Sequence, residues 1–323
     1  MKRMTWTAAT LALAGTLLAA LPVAAQNYPN RTIKFIVPFA AGSATDALAR
    51  IVGEHASKTL GQTIIVENMA GANGVIAAQN VARAEPDGHT VLITTNTTHG
   101  ANQSLMKSVP YDAITSFEPV TKLGTITLAL IANPSVPAKS VQELIAHAKK
   151  NPGKLTFGWG SSSSRVAGEM LNTLGGIDIA DVPYRSNPQA ITDLLGGQIS
   201  LVFADLSTTL PQVQAGKAPG LAVSTAKRSP LASDLPTMAE AGVPGYDLAA
   251  WFAAFVPANT PKPVVDKLHG SLVTAVNDKA TQEKLLKAGI EPETSSPEEL
   301  KAFVGSEIKK WADIVKAAGI QPQ

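Results

Sequence analysis

Apolar positions along this chain alternate between two rhythms. Short runs rich in Val, Ile and Thr at residues 32–39, 63–67 and 90–94 predict buried strands. Between them, Ala44, Ala47, Leu48, Ile51 and Val52 repeat at the three/four spacing of one helical face, which predicts a helix over 44–60. A second helix is expected from Val75 to about Ala84, after the Gly-rich turn 69–74. Pro86-Asp87-Gly88 then marks a turn before the third strand. This β-α-β-α-β order predicts a parallel sheet with helices on both faces.

The style returns in the middle of the chain. Ser140 with Glu143 opens a helix to about Lys150, which Asn151-Pro152-Gly153 stops. A strand at 155–158, a helix from the serine run 161–164 to about 174, a strand at 182–185, a helix at 188–195 and a strand at 200–204 form a second β-α-β set. Residues 220–224 and 249–256 read as strands and 263–277 as a helix. Ser296, Pro297 and Glu299 form a capping box that starts the last helix, to about Ala318. Two extended apolar segments without an intervening helix, 123–132 and 246–257, read as crossings between two lobes. The expected division is 26–125 and 247–323 in one domain, with 126–246 as an inserted second domain. Two connecting strands make a hinge, and the cleft between the lobes is the natural ligand site.

The first 25 residues stand apart. Lys2 and Arg3, an apolar stretch over 8–21 and the small residues Val23-Ala24-Ala25 predict a signal peptide cleaved after Ala25. The apolar run is shorter than the roughly 20 residues of a membrane span, so no anchor is expected. The chain has no Cys, which removes disulfides and lipidated cysteine. The expected location is the periplasm. Of 27 basic residues, Lys2 and Arg3 leave with the signal peptide, so 25 face 25 acidic ones. Without basic runs, neither nucleic acid nor an anionic membrane surface is an expected partner. The remaining length of about 300 residues points to two cores rather than one.

Candidate chemistry gathers at two loops. A strand that feeds a helix through the small residues before Ser43 aims several unpaired backbone N–H groups at one point, which suits an anion. The run Ser161, Ser162, Ser163 and Ser164 repeats the arrangement and adds hydroxyl donors; its alternative is a flexible surface loop with a serine cap. Arg165 and Arg185 are the nearest cations, each a bidentate carboxylate partner or else a solvated or structural arginine. Trp159 is a candidate stacking surface or simply packed; Phe39 and Tyr184 line the ligand or belong to the local core. Trp251 reads as hinge core.

Enzyme signatures are thin. The five histidines are scattered, no G-x-S-x-G, P-loop or G-x-G-x-x-G occurs, and the S-x-x-K strings at 224–227 and 306–309 lack companion motifs. A non-enzymatic protein without metal or cofactor is therefore expected.

The segments TIKFIVPFAAG (32–42), IIVENMAGANG (64–74), VARAEPDGHTVL (81–92), VPYDAITSFEPV (109–120), NPGKLTFG (151–158), VPYRSNPQAITDLLGGQISLVF (182–203), LPTMAEAGVPGYDLAAWF (235–252) and KKWADIVKAAGI (309–320) follow one another in order. Together they closely resemble the Bug or TctC family, periplasmic solute-binding proteins of tripartite tricarboxylate transporters. The resemblance implies a type II periplasmic-binding-protein fold: α/β, two lobes with parallel-type sheets flanked by helices, closing on a carboxylate. It also implies a monomer that delivers its ligand to the transporter's membrane subunits.

Carried over by position, the first wall is Phe39, Ala41, Gly42, Ser43 and then Asp46. The second is Ala72 and Asn73, and the third runs from Thr94 through Asn96 to Thr97. The other lobe contributes the loop from Trp159 through the four serines, then Arg165, Tyr184, Arg185 and Asp205. Several positions depart from the usual pattern. Ser43 and Ser186 stand where glycine is usual, Arg165 where histidine is expected, and Asp205 one residue beyond the usual aspartate. Trp159 with Arg165 would suit a planar dicarboxylate such as terephthalate, against aliphatic di- or tricarboxylates and amino acids. Two other roles remain open: a sensory protein that docks a kinase ectodomain, and a hydrolase using one serine of the run.

Overall fold

The computed structural model describes residues 28–322. The signal peptide expected over residues 1–25 lies outside the described residues. The first β-α-β-α-β run forms as β1 (Ile33–Val37), α1 (Ala44–Leu60), β2 (Ile64–Asn68), α2 (Val75–Ala82) and β3 (Thr90–Thr95), and β1 pairs in parallel with both β2 and β3. A π-turn at Thr97–Ala101 runs into the short α3 (Asn102–Leu105). The strand β4 (Phe117–Ala132) is 16 residues long. At about 3.3 Å per residue it spans roughly 50 Å, enough to serve two halves of one sheet.

Beyond β4 come α4 (Val141–Lys150), β5 (Thr156–Trp159), α5 (Ser162–Gly175), β6 (Ala180–Pro183), α6 (Asn187–Leu195), β7 (Leu201–Asp205), α7 (Leu206–Gln214) and β8 (Gly220–Val223). The chain returns through β9 (Ala249–Pro257) and finishes with α8 (Lys262–Asn277), α9 (Lys279–Lys287), β10 (Ile290–Pro292) and α10 (Pro297–Ala317). The sheet runs in the order β2-β1-β3-β9-β4-β7-β5-β6, with β8 and β10 both on β4. Residues 117–127 of β4 pair with β9, whereas Leu128–Ala132 pair with β7.

The parallel expectation applies to two triplets, β2-β1-β3 and β6-β5-β7. Between them, β9 and β4 pair antiparallel with each other and with both triplets. Strands that leave one half and return to it run in opposite directions, so this mixed centre follows from the connectivity. Gly124 lets β4 pass under β10: a Cβ there would lie 2.6 Å from the Glu291 carbonyl oxygen.

Helix starts follow the sequence. Ser43, Ser161 and Ser296 cap α1, α5 and α10, and Ser296 with Glu299 completes the reciprocal box. Ser140 caps α4, but the Glu143 carboxylate takes the Lys139 N–H (2.7 Å) instead of closing the box on Ser140. The strand expected at 182–185 lies at Ala180–Pro183, so Tyr184 and Arg185 belong to the turn after it. Three helices were not legible. α3 is a single turn, α7 carries Pro211 inside it, and α9 is short and charged, so all three lack the usual signals. Among the described residues no helix is long and apolar enough to cross a membrane.

Candidate functional site

Four helices begin at one place. Ser43 and Thr45 at the start of α1, Ser161 and Ser163 at the start of α5, Ser186 and Asn187 at the start of α6, and Asp205 at the N-cap of α7 line the same cleft. Phe39, Thr95, Gly160, Ala250 and Phe252 complete the wall. Each helix start contributes unsatisfied backbone N–H groups and the positive end of its dipole. No Lys, Arg or His is among the lining residues, so the positive potential comes from backbone and hydroxyl dipoles.

The loop ahead of α1 is held from behind. Asp46 is buried, accepts the Gly42 N–H at 3.0 Å and the Asn68 amide at 3.0 Å, and pairs with Arg50 at 2.9 Å. Asn68 also donates to the Phe39 carbonyl at 2.9 Å, which fixes the other end of the loop. Burial works against the Asp46 charge, but the hydrogen bonds from Arg50, Gly42 and Asn68 outweigh it and hold the carboxyl below the usual range. Asp46 therefore positions the loop without lining the cleft. Ala41 and Gly42 are exposed, and the Gly42 amide is already spent on Asp46. Ser43 accepts the Asp46 N–H at 3.3 Å, which leaves its hydroxyl proton available.

The opposite loop is organised by Asn187. Its Oδ1 accepts the Gly160 N–H (2.9 Å) and the Ser164 hydroxyl (2.9 Å). Gly160 has no room for a side chain, because a Cβ would sit 2.1 Å from the Ser186 carbonyl carbon. The serines take separate roles. Ser161 caps α5 by accepting the Ser164 N–H and, since the Ser164 hydroxyl donates to Asn187, gives its own proton to Ser164 Oγ at 3.0 Å; Ser161 and Ser163 both reach the cleft. Ser162 and Ser163 also meet the facing half of the molecule. Asn73 donates to Ser162 Oγ at 2.5 Å, Asn96 donates to Ser163 Oγ at 2.9 Å, and Thr97 Oγ1 accepts the Ser162 N–H at 3.3 Å.

Several expected contacts lie elsewhere. Ala72 and Asn73 occupy left-handed backbone (φ 45° and 51°), and Asn73 is engaged with Ser162 and Asn102. Thr94 is fully buried against Thr98 at 2.6 Å. Trp159 donates to Asp181 at 2.8 Å, and the Arg165 guanidinium lies 5.2 Å from the Trp159 ring with its Nε 3.8 Å from Asp181. Neither is among the cleft-lining residues. The Tyr184 hydroxyl turns to Asp193 at 2.8 Å, and its ring packs on the cluster of Ala190 and Leu194. Arg185 is exposed at the turn. Trp251 is buried and donates to Glu307 at 2.8 Å.

Asp205 lines the cleft, and burial, partly offset by the Asn187 amide at 3.4 Å, pushes its carboxyl up to about 6. The residues missed from sequence were Asn187, Thr45, Ala250 and Phe252. Ser186-Asn187-Pro188 is a helix-start signal that marks Asn187. Strand alternation separates Trp251 from Ala250 and Phe252: the first faces α10 and the other two the cleft.

The family model for the tripartite tricarboxylate transporter family receptor matches residues 48–320. Three solved structures share the fold. The periplasmic binding protein BugD is 37% identical with a TM-score of 0.88, covering 92% of this chain and 100% of its own. R. palustris Rpa4515 with adipate is 36% identical with a TM-score of 0.89, covering 92% and 100%. MatC (Rpa3494) from Rhodopseudomonas palustris with bound malate is 32% identical with a TM-score of 0.85, covering 89% and 100%.

Proposed function

The chain belongs to the tripartite tricarboxylate transporter receptor family, and from that premise we propose that it is a periplasmic receptor that captures a small organic carboxylate. One observation carries the reading: four helix starts, with the hydroxyls of Ser43, Ser161, Ser163 and Ser186, converge on one cleft whose lining holds no cation. Ser186 adds a specific pointer, since its buried hydroxyl has no hydrogen-bond partner. Micromolar binding needs about 8 kcal/mol. A hydrogen bond to a charged group contributes roughly 1.5–3 kcal/mol, so four to six of them suffice after closure is accounted for.

In this reading residues 28–125 and 247–322 form one lobe and 126–246 the other, with hinge motion at the centre of β4 and ahead of β9. Closure brings Ser43 and Thr45 against Ser161 and Ser163 around the ligand carboxylate, while Phe39 and Phe252 cover its apolar body. Because Trp159 and Arg165 are engaged with Asp181, the cleft suits a short aliphatic dicarboxylate better than a planar aromatic one. The ligands named for Rpa4515 and MatC, adipate and malate, are of that kind. The loaded, closed form would then be handed to the membrane subunits of a transporter.

Thermal-shift and calorimetric titration with succinate, malate, adipate, citrate and terephthalate tests this. Saturation at about 100 times Kd stabilises by about 2.7 kcal/mol, which for a chain of this size raises Tm by roughly 5 °C. A rise with at least one aliphatic di- or tricarboxylate is expected. No response to any of them would defeat the carboxylate reading, and a response to terephthalate alone would overturn the aliphatic assignment.

A further inference from the structure

We propose that Asp205 is a specificity residue of the cleft. Its carboxylate accepts a hydrogen bond from a hydroxyl or ammonium group that the ligand bears beside its own carboxylate, so the protein selects donor-substituted dicarboxylates over unsubstituted ones. The inference rests on the carboxylate-receptor reading and assigns it a substrate subclass.

Asp205 is the only ionisable side chain lining the cleft among the described residues. No Lys, Arg or His forms an ion pair with it among those residues. Nor does local structure consume it. An aspartate at a helix N-cap ordinarily spends its side chain on the N–H groups of the first turn. Asp205 makes no such capping bond, and the hydroxyls of Thr208 and Thr209 bond instead to its backbone carbonyl. Its one side-chain donor from a neighbouring residue is Asn187 Nδ2, at a long 3.4 Å. That amide cannot turn to offer anything else, because its Oδ1 holds the Gly160 N–H and the Ser164 hydroxyl.

A carboxylate has about four acceptor sites, so Asp205 presents open acceptor capacity into a cleft otherwise furnished with donors. The donors available to the ligand's carboxylate are the free hydroxyls of Ser43, Ser163 and Ser186. An unsubstituted dicarboxylate offers Asp205 only like charge. A neighbouring hydroxyl or ammonium turns that repulsion into a charge-assisted hydrogen bond. A site built to bond a polar group rejects an analogue that lacks it, because its own polar atoms are left unpaired.

The test is isothermal titration of the mature chain and of Asp205→Ala and Asp205→Asn with succinate, malate and aspartate, which differ only in the substituent beside one carboxylate. The wild-type protein is expected to bind malate or aspartate at least tenfold more tightly than succinate. Leadership by malate identifies a hydroxyl donor, and leadership by aspartate an ammonium. In Asp205→Ala the preference should fall to within about threefold, with succinate gaining affinity; Asp205→Asn, which keeps a neutral acceptor, should fall between. Equal binding of the three by wild type, or an unchanged preference in Asp205→Ala, would overturn the inference and leave the carboxylate reading standing. Failure of all three, and of adipate and citrate, to bind would overturn both.

Discussion

Asp46 and Asp205 are carboxyls at helix starts with opposite fates. Three donors surround Asp46 and keep it charged, whereas Asp205 is half-buried with one long side-chain hydrogen bond and holds its proton up to about 6. Asp205 therefore holds more of its proton in the folded chain than in the unfolded one between about pH 4 and 6, and its contribution to stability falls as pH rises through that window. Asp46, Asp87 and Asp112 are held below the usual range and lose their contribution at lower pH than Asp205. Thermal melts of unliganded Asp205→Asn and wild type should coincide near pH 4. At pH 7 the variant should melt several degrees higher; a constant difference across the range would contradict the assignment. Asn187→Ala removes the partner of the Gly160 N–H and the Ser164 hydroxyl together. It should cost about 1–3 kcal/mol in urea unfolding and weaken ligand binding, whereas loss of stability without loss of affinity would make Asn187 structural only.

At the scale of elements, the site is a set of helix starts, each fixed by a close approach or a cap. Gly160 permits the α5 loop to touch the start of α6, and a methyl group there would meet the backbone of Ser186 and Asn187 at 2.1–2.3 Å. Gly42 has φ +81° but open space around it, so only conformational strain opposes a side chain. Gly42→Ala should cost about 1 kcal/mol. Gly160→Ala should cost well above that and abolish binding, since backbone must shift. Comparable denaturation midpoints for the two variants would sink the close-approach argument. The Ser296 box at α10 is remote from the cleft. Its removal in Ser296→Ala should cost about 1 kcal/mol and leave affinity unchanged.

Across the whole molecule, the contacts of Asn73 with Ser162 and of Asn96 with Ser163 join the ends of β3 and the 72–74 turn to the start of α5. These bonds stand between the two halves of the sheet, beside the cleft. Asn96 also accepts the Trp251 N–H at 3.4 Å on β9, so it touches the return strand as well. If the halves move as lobes, these amides set how readily they come together. Asn96→Ala should increase the radius of gyration of the unliganded protein in small-angle scattering and lower ligand affinity several-fold. A double-mutant cycle of Asn73→Ala with Ser162→Ala should show coupling of about 0.5–3 kcal/mol. An unchanged scattering profile with additive effects would show that the bonds do not govern closure.

The strand and helix order, the four serine-capped starts at Ser43, Ser140, Ser161 and Ser296, and the gathering of small hydroxyl residues ahead of α1 and α5 were legible in the chain. They depend on local periodicity and on which side chains satisfy free N–H groups, and both are written in short windows of sequence. What the serines do was not legible. Ser161 and Ser163 reach the cleft while Ser162 and Ser164 are spent on Asn73, Asn102 and Asn187, because 100° steps around α5 send neighbours in different directions. Trp159 and Arg165 were turned aside by Asp181, whose position comes from the pairing of β5 with β6. Asn187 became a cleft residue only when α6 was brought beside α5. Local sequence decides where a helix begins; only packing across the sheet decides which beginnings share one space.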